Sequence, residues 1–294
     1  METVEKNLRQ HVNILCSDIG SRSILEGSSL RKAQDFIHNQ FEGMGLPVRV
    51  QNYTAHGVST ANLLAVPGDT GQVSPLLLLG AHYDTVPGTP GADDNASAVA
   101  VQLETARQLM MLKDRHELDL SAKLVSFPLE EPPAFGTRQM GSSVYAYNAW
   151  KKKEQIDGMI CLEMVGYTCH APGCQRYPFP LKFFGYPKEG SFIGLVGNYR
   201  SREFAASMLN AFRKNPKLPA VKLMVPLNGW ILPSVRLSDH ASFWDQGFKA
   251  VMVTDSAFYR NPHYHLASDT MDTLDYYFMA ELVESLVLFL TTAP

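Results

Sequence analysis

The sequence predicts an α/β fold in which a mostly parallel sheet is covered by helices on both faces. Three observations predict it. The chain has 294 residues, a length that one large α/β unit can fill. Short apolar or β-branched runs recur along it, several of them continuous rather than alternating, as expected of strands buried on both faces. Stretches with helical spacing fill the intervals, and strands alternating with helices imply parallel pairing through crossovers.

The first helix is expected over 3–16. A second, over 28–44, is marked by Leu30, Ala33, Ile37 and Phe41, and Gly43-Met44-Gly45 with Pro47 beyond closes it. Strands are expected at NLLAV (62–66) and PLLLLGA (75–81), then a helix over 95–112. AKLVSF (122–127), a helix over 142–153, GMICL (158–162) and SFIGLV (191–196) follow. The last elements are a helix over 201–213, KAVMVT (249–254), and a helix over 273–290 with Leu274, Phe278, Leu282 and Leu286 on one face. Lys151 to Lys153 read as a solvated helix end. No repeat, low-complexity segment or dividing linker interrupts the chain, so a single domain over 1–294 is expected.

Composition narrows the function. Hydrophobic residues make up 45% and charged residues 19%, the balance of a soluble globular protein. A formal net charge of −3 gives no reason to expect nucleic acid or an anionic membrane as partner. The N-terminal residues lack the basic start and apolar run of a signal peptide, and the run Leu286 to Leu290 is too short to span a bilayer. A cytoplasmic protein is therefore expected, or an exported one if a leader has been removed. Of the four cysteines, Cys16, Cys161, Cys169 and Cys174, the last two flank His170 in YTCHAPGCQ. Three ligands there fall short of a structural zinc site, which needs four; free thiols or one local disulfide are the alternatives.

The chemistry gathers at strand ends. His82 follows the run 76–81, Glu130 and Glu131 come shortly after 122–127, and Glu163 follows 158–162. Ligands of open α/β sheets bind at that C-terminal edge. Within HYDTVPGTPGADDN (82–95), Asp84 lies two positions from His82, on the same side of an extended segment, where a carboxylate can orient a metal-bound imidazole. Asp93, Asp94 and Asn95 precede a helix; capping explains one of them and leaves a second acid over. Glu130 and Glu131, fixed by Pro132-Pro133, face different ways, so one can bind metal while the other moves a proton. Glu163 is an acid among apolar neighbours, and His263 and His265 lie two apart in NPHYHLASDTMD. Such a set exceeds one tetrahedral ion and suits two, about 3.5–4 Å apart and sharing a carboxylate. Mixed imidazole and carboxylate ligands favour zinc, with manganese or cobalt as substitutes.

HYD, GADDNASAV, the Glu pair after a strand, LEMVGY, SDHASFWDQG and YHLASDT stand in the order found in the co-catalytic dizinc aminopeptidases. The chain resembles that family, which also has glutamate carboxypeptidase and glutaminyl cyclase branches, over about 60–290. The resemblance implies a three-layer α/β/α sandwich with a mixed, mostly parallel central sheet and two zinc ions. It implies His82 and Glu163 on one ion, Glu131 and His265 on the other, and Asp94 bridging them. Glu130 would be the general base, taking a proton from the bridging water and passing it to the leaving amine. Asp84 would support His82, and Tyr264 would help stabilise the oxyanion. A cis Asp94–Asn95 peptide is implied as well, with Asp93 and Asn95 kept as turn and cap residues.

The reaction implied is removal of the N-terminal residue of a peptide. A glutaminyl cyclase is disfavoured because Tyr264 and Ser238-Asp239 stand where that branch has Trp and an acidic pair. A non-catalytic binding module is disfavoured because every ligand position is filled. An aminoacylase or carboxypeptidase stays open, since a metal centre does not fix which side of the bond is recognised. The stretch PPAFGTRQMGS and the loop from Tyr167 to Glu189 depart from the family pattern, so specificity does not carry over.

Overall fold

The structure is a computed structural model describing residues 1–66, 76–114 and 122–292. Pro75, the first residue of the run read as 75–81, lies outside the described residues. Eight strands form one sheet: β1 (Val48–Ala55), β2 (Val58–Ala65), β3 (Leu77–His82), β4 (Ala122–Phe127), β5 (Gly158–Glu163), β6 (Ile193–Asn198), β7 (Ala220–Val225) and β8 (Ala250–Thr254). Their order is β1-β2-β4-β3-β5-β8-β6-β7. β4, β3, β5 and β8 are mutually parallel neighbours, whereas β2 runs antiparallel to β1 and β4, and β6 antiparallel to β8. The expected mixed, mostly parallel sheet is thus present, with its parallel block at the centre.

Helices cover both faces: α1 (Glu2–Asn13), α2 (Gly27–Gly43), α3 (Ala98–Asp114), α4 (Gly141–Lys151), α5 (Arg202–Phe212), α6 (His240–Asp245) and α7 (Tyr276–Thr292). The continuous apolar runs explain the layering. In β3, Leu77, Leu79 and Ala81 enter a core with α1, α2, α3, α5 and α7, while Leu78 joins a second core with α4 and α6. β5 divides likewise, Ile160 and Leu162 to one side and Met159 and Cys161 to the other. Successive side chains point to opposite faces, so a strand buried on both must be apolar at every position. Gly80 interrupts the run because a Cβ there would lie 2.6 Å from the Phe127 ring.

β1, β7 and α6 were not expected. β1 pairs with β2 as a hairpin; its alternation of apolar with polar residues breaks at Gln51-Asn52, and only Ala55 is fully buried. β7 is the opposite edge strand, only partly buried over most of its length. α6 spans six residues, too few for a helical period to register. Among the described residues, no helix is long and apolar enough to cross a membrane. Cys169 and Cys174 form a disulfide, so the zinc reading of their loop falls away, and Cys16 and Cys161 are free and buried.

One buried side chain joins the N-terminal segment to the sheet edge. Arg22 is 0% exposed. Its guanidinium donates to the carbonyls of Tyr83 (2.9 Å), Leu15 (2.9 Å), Gly20 (3.0 Å), Pro90 (2.7 Å) and Gly91 (2.9 Å). The planar fork of five N–H groups suits this role, tying the turn after α1 to both ends of the loop that leaves β3. Replacing Arg22 with Met strands these carbonyls, each at about 1–3 kcal/mol. The variant is expected to lose at least about 3 kcal/mol, seen as a lower urea midpoint at unchanged slope.

Candidate metal centre

The parallel block delivers its side chains to one edge. His82 ends β3 and Glu163 ends β5, while Glu130 and Glu131 follow β4. His265 lies beyond β8, and Asp94 lies on the crossover from β3 to α3. Three non-glycine residues beside or among these groups adopt left-handed backbone: Leu129 (φ 63°), Met164 (φ 46°) and His265 (φ 60°). Such residues are uncommon and collect where a fold holds a site in shape. The Asp94–Asn95 peptide is cis, as expected.

The side chains converge in two groups that share Asp94. His82 Nε2 lies 3.4 Å from Asp94 Oδ1 and 3.4 Å from Glu163 Oε2. His265 Nε2 lies 3.1 Å from Asp94 Oδ2 and 3.3 Å from Glu131 Oε1. One Asp94 oxygen thus faces each imidazole. His82 Nε2, Asp94 Oδ1, Glu131 Oε1 and His265 Nε2 are buried and have no hydrogen-bond partner among the described residues. Buried polar atoms left without partners are costly. Ligands about 2.0–2.1 Å from a tetrahedral ion stand about 3.3 Å apart, the spacing seen here. The residues therefore fit a zinc-like cation. Glu130 is also buried, with Oε2 3.9 Å from His82 Nε2, and belongs to neither group.

The support around these groups is long-range. Asp84 accepts the backbone N–H groups of Glu130 and Glu131, each at 3.0 Å, which fixes the Glu pair. Its Oδ1 is 3.4 Å from His82 Nδ1, farther than those amides. Ser238 donates to Glu163 Oε2 at 2.5 Å. Asp269 accepts the N–H groups of Asp93 (2.9 Å) and Asp94 (3.1 Å), capping that turn from far along the chain. Gly91 (φ 59°) admits the tight approach, since a Cβ there would sit 2.3 Å from the Asp94 carbonyl.

The turn-and-cap reading of Asp93 and Asn95 needs correcting. Both are fully buried and bond across the core. Asp93 accepts from Gly166 N (2.9 Å) and Asn261 Nδ2 (2.7 Å). Asn95 donates to the Leu162 carbonyl (3.1 Å) and accepts from Met164 N (3.0 Å). They tie the Asp94 turn to the strand end carrying Glu163. Local capping is replaced because 92–97 is not a regular helix; Asp94 and Asn95 have non-helical backbone.

Charge at this edge is unbalanced. Burial raises the Glu130 and Glu131 carboxyls, the latter to about 8 with Asp94 adding to it. Burial also works against the His82 and His265 imidazolium forms, but the carboxylates outweigh it and raise both, His265 to about 10. Carboxylates outnumber imidazoles, an arrangement that a cation relieves.

Beside Glu163 and Tyr264 lies a cavity open to solvent. Its floor is the sheet face, with Val196, Leu223 and Met252, and its wall includes Tyr177 and Leu181. The Tyr264 ring lies on His265, 3.7 Å between centroids. His263 stays outside the cluster, its Nδ1 2.9 Å from Ser268 Oγ. Sequence reasoning missed the parts played by Arg22, Ser238 and Asp269; Ser238 and Asp269 stand in quoted motifs, but neither spacing nor residue type marks their contacts.

Asp84→Asn turns one acceptor oxygen into a donor facing a backbone N–H. Metal affinity, measured by competition with a chelator, is expected to fall about 10–100-fold while the fold persists.

The chain is similar to known proteins over most of its length. The profile of peptidase family M28 matches residues 62–290. The uncharacterized protein YfbL of Escherichia coli K12 is 35% identical over 293 residues, covering 97% of this chain and 87% of that one. A probable leucine aminopeptidase of Arthroderma otae is 26% identical over 237 residues, covering 78% of this chain and 55% of its own length. The crystal structure of the LapA aminopeptidase of Legionella pneumophila superimposes with a TM-score of 0.78 at 19% identity, covering 100% of this chain and 72% of that one, a likeness of fold. The chain belongs to peptidase family M28.

Proposed function

We propose that this M28 peptidase is a zinc-dependent aminopeptidase, acting as a single domain over 1–294 and removing the N-terminal residue of peptides. The observation carrying the proposal is the pair of ligand groups meeting at Asp94, with Glu130 buried beside them and committed to neither. In this reading His82 and Glu163 hold one zinc, Glu131 and His265 the other, and Asp94 both. Manganese or cobalt would substitute, all three being borderline metals for such ligands. When bound, the two ions would lower the pKa of a water and polarise the scissile carbonyl.

The protein's own side chains do the rest. Glu130 accepts a proton and returns it to the leaving amine, a role open to it because it lies buried beside both groups and belongs to neither. Asp84 positions Glu130 through its backbone N–H. Tyr264, beside Glu163 at the cavity mouth, donates toward the developing oxyanion. The apolar cavity receives the side chain of the first substrate residue. The aminopeptidase names among relatives support an N-terminal point of attack.

The test is metal analysis of the purified protein, then turnover of aminoacyl-anilides, N-acylated amino acids and peptides beginning with Gln. About two zinc ions per chain and cleavage of aminoacyl-anilides are expected. Turnover of N-blocked substrates alone would show an aminoacylase or carboxypeptidase, and cyclisation of the Gln peptide a glutaminyl cyclase. Glu130→Gln is expected to keep its metal while kcat falls about 10²–10⁴-fold. Loss of zinc in that variant would exchange the roles of Glu130 and Glu131.

A further inference from the structure

The loops that wall the cavity have a second face. From 176–189, Tyr177, Leu181 and Tyr186 line the cavity, whereas Phe179, Phe183 and Phe184 lie outside its lining and are 73%, 70% and 67% exposed. From 226–237, Val235 and Leu237 line it, whereas Leu227, Trp230 and Ile231 lie outside it at 71%, 65% and 65% exposure. Six large apolar side chains thus stand exposed on the two segments that line one cavity, without facing into it. Single exposed apolar residues need no explanation, but a cluster of this kind marks an interaction surface.

The turn carrying the three Phe residues is held in shape. Pro178, Pro180 and Pro187 restrict its backbone, Tyr177 stacks on Tyr186 at 5.4 Å, and Tyr177 Oη donates to the Pro187 carbonyl at 2.7 Å. Its exposed rings are presented and have not collapsed onto the core. Cations accompany them. Segment 176–189 carries Lys182 and Lys188, with Arg176 lining the cavity, against Glu189 alone, a local charge of +2 in a chain whose net charge is −3. Lys182 Nζ lies over the Phe183 ring at 5.1 Å. In the loop 226–237, Arg236 stacks on Trp230 at 3.8 Å, its charge paired with Asp245 at 2.8 Å, so the free cations of the rim are the lysines.

We propose that this rim docks on an anionic lipid bilayer, resting at the interface without spanning it. Aromatic rings settle at the level of the headgroups, and lysine stems lie along apolar surface while their ammonium groups reach lipid phosphates. The net charge of the whole chain conceals the site, because it averages the cations of this turn with acids elsewhere in the chain. The fit is to a surface with apolar depth and negative charge together, which the rings and the lysines match as a unit.

The full chain is to be sedimented with vesicles of phosphatidylcholine, with or without phosphatidylglycerol. Binding to the anionic vesicles, weakened by salt, is expected. Phe183→Ser/Phe184→Ser and Lys182→Glu are each expected to weaken it about tenfold or more at an unchanged melting temperature. No binding to anionic vesicles, equal binding to neutral ones, or undiminished binding by either variant overturns the proposal. A wild-type dimer in solution that the double Phe variant dissolves would overturn it too, assigning the rim to a second copy of the chain. The measurement makes no use of catalysis, so its outcome is independent of the peptidase reading.

Discussion

Asp94 is the point on which the rest of the site depends. Its two oxygens face two imidazoles, at 3.4 and 3.1 Å, one at the end of β3 and the other in the loop beyond β8. A short side chain can do this only if its backbone is held to a fraction of an ångström. Asp269 takes the amides before it, Gly91 makes room for its carbonyl, and Asp93 and Asn95 anchor both sides of it to the end of β5. Arg22 fixes both ends of the loop that leads to it. None of these residues enters either ligand group. They replace the turn's missing local hydrogen bonds with bonds to distant elements, which makes the position of Asp94 a property of the whole sheet edge.

The sheet order supplies the other partners. Four adjacent parallel strands end at one edge, so groups far apart in sequence arrive within a few ångströms. The cost is electrostatic, since several carboxylates are buried together and burial raises Glu130, Glu131 and Glu163. A carboxylate cluster of this density is unfavourable by itself and becomes favourable around a cation. The same residues that destabilise the empty edge therefore select what fills it.

The ligand groups were legible in sequence because each sits at the end of an apolar strand or in a short polar motif, where strand direction alone decides the edge. The central strands were legible for a related reason: burial on both faces makes them continuous apolar runs. Edge strands β1 and β7 carry mixed patterns, and α6 is shorter than two helical turns, so none of them showed a period. Asp93 and Asn95 read as local caps because acid and amide residues before a helix usually are. Their actual partners, Gly166, Asn261, Leu162 and Met164, lie 67 or more positions away, and spacing carries no sign of that. Arg22, one cation in a short polar stretch, is invisible until the loop it binds is folded around it.

The Arg22 clamp separates the unit of recognition from the unit of assembly. The M28 profile begins at residue 62, and every proposed ligand lies within it. The loop joining His82 to Asp94 is nonetheless held by an arginine forty residues upstream of that boundary, anchored in turn to the carbonyls of Leu15 and Gly20. A fragment cut at the limits of the family match would inherit all the proposed ligands and lose the brace that shapes their loop. Grafting this centre onto another sheet would have to carry the N-terminal segment along.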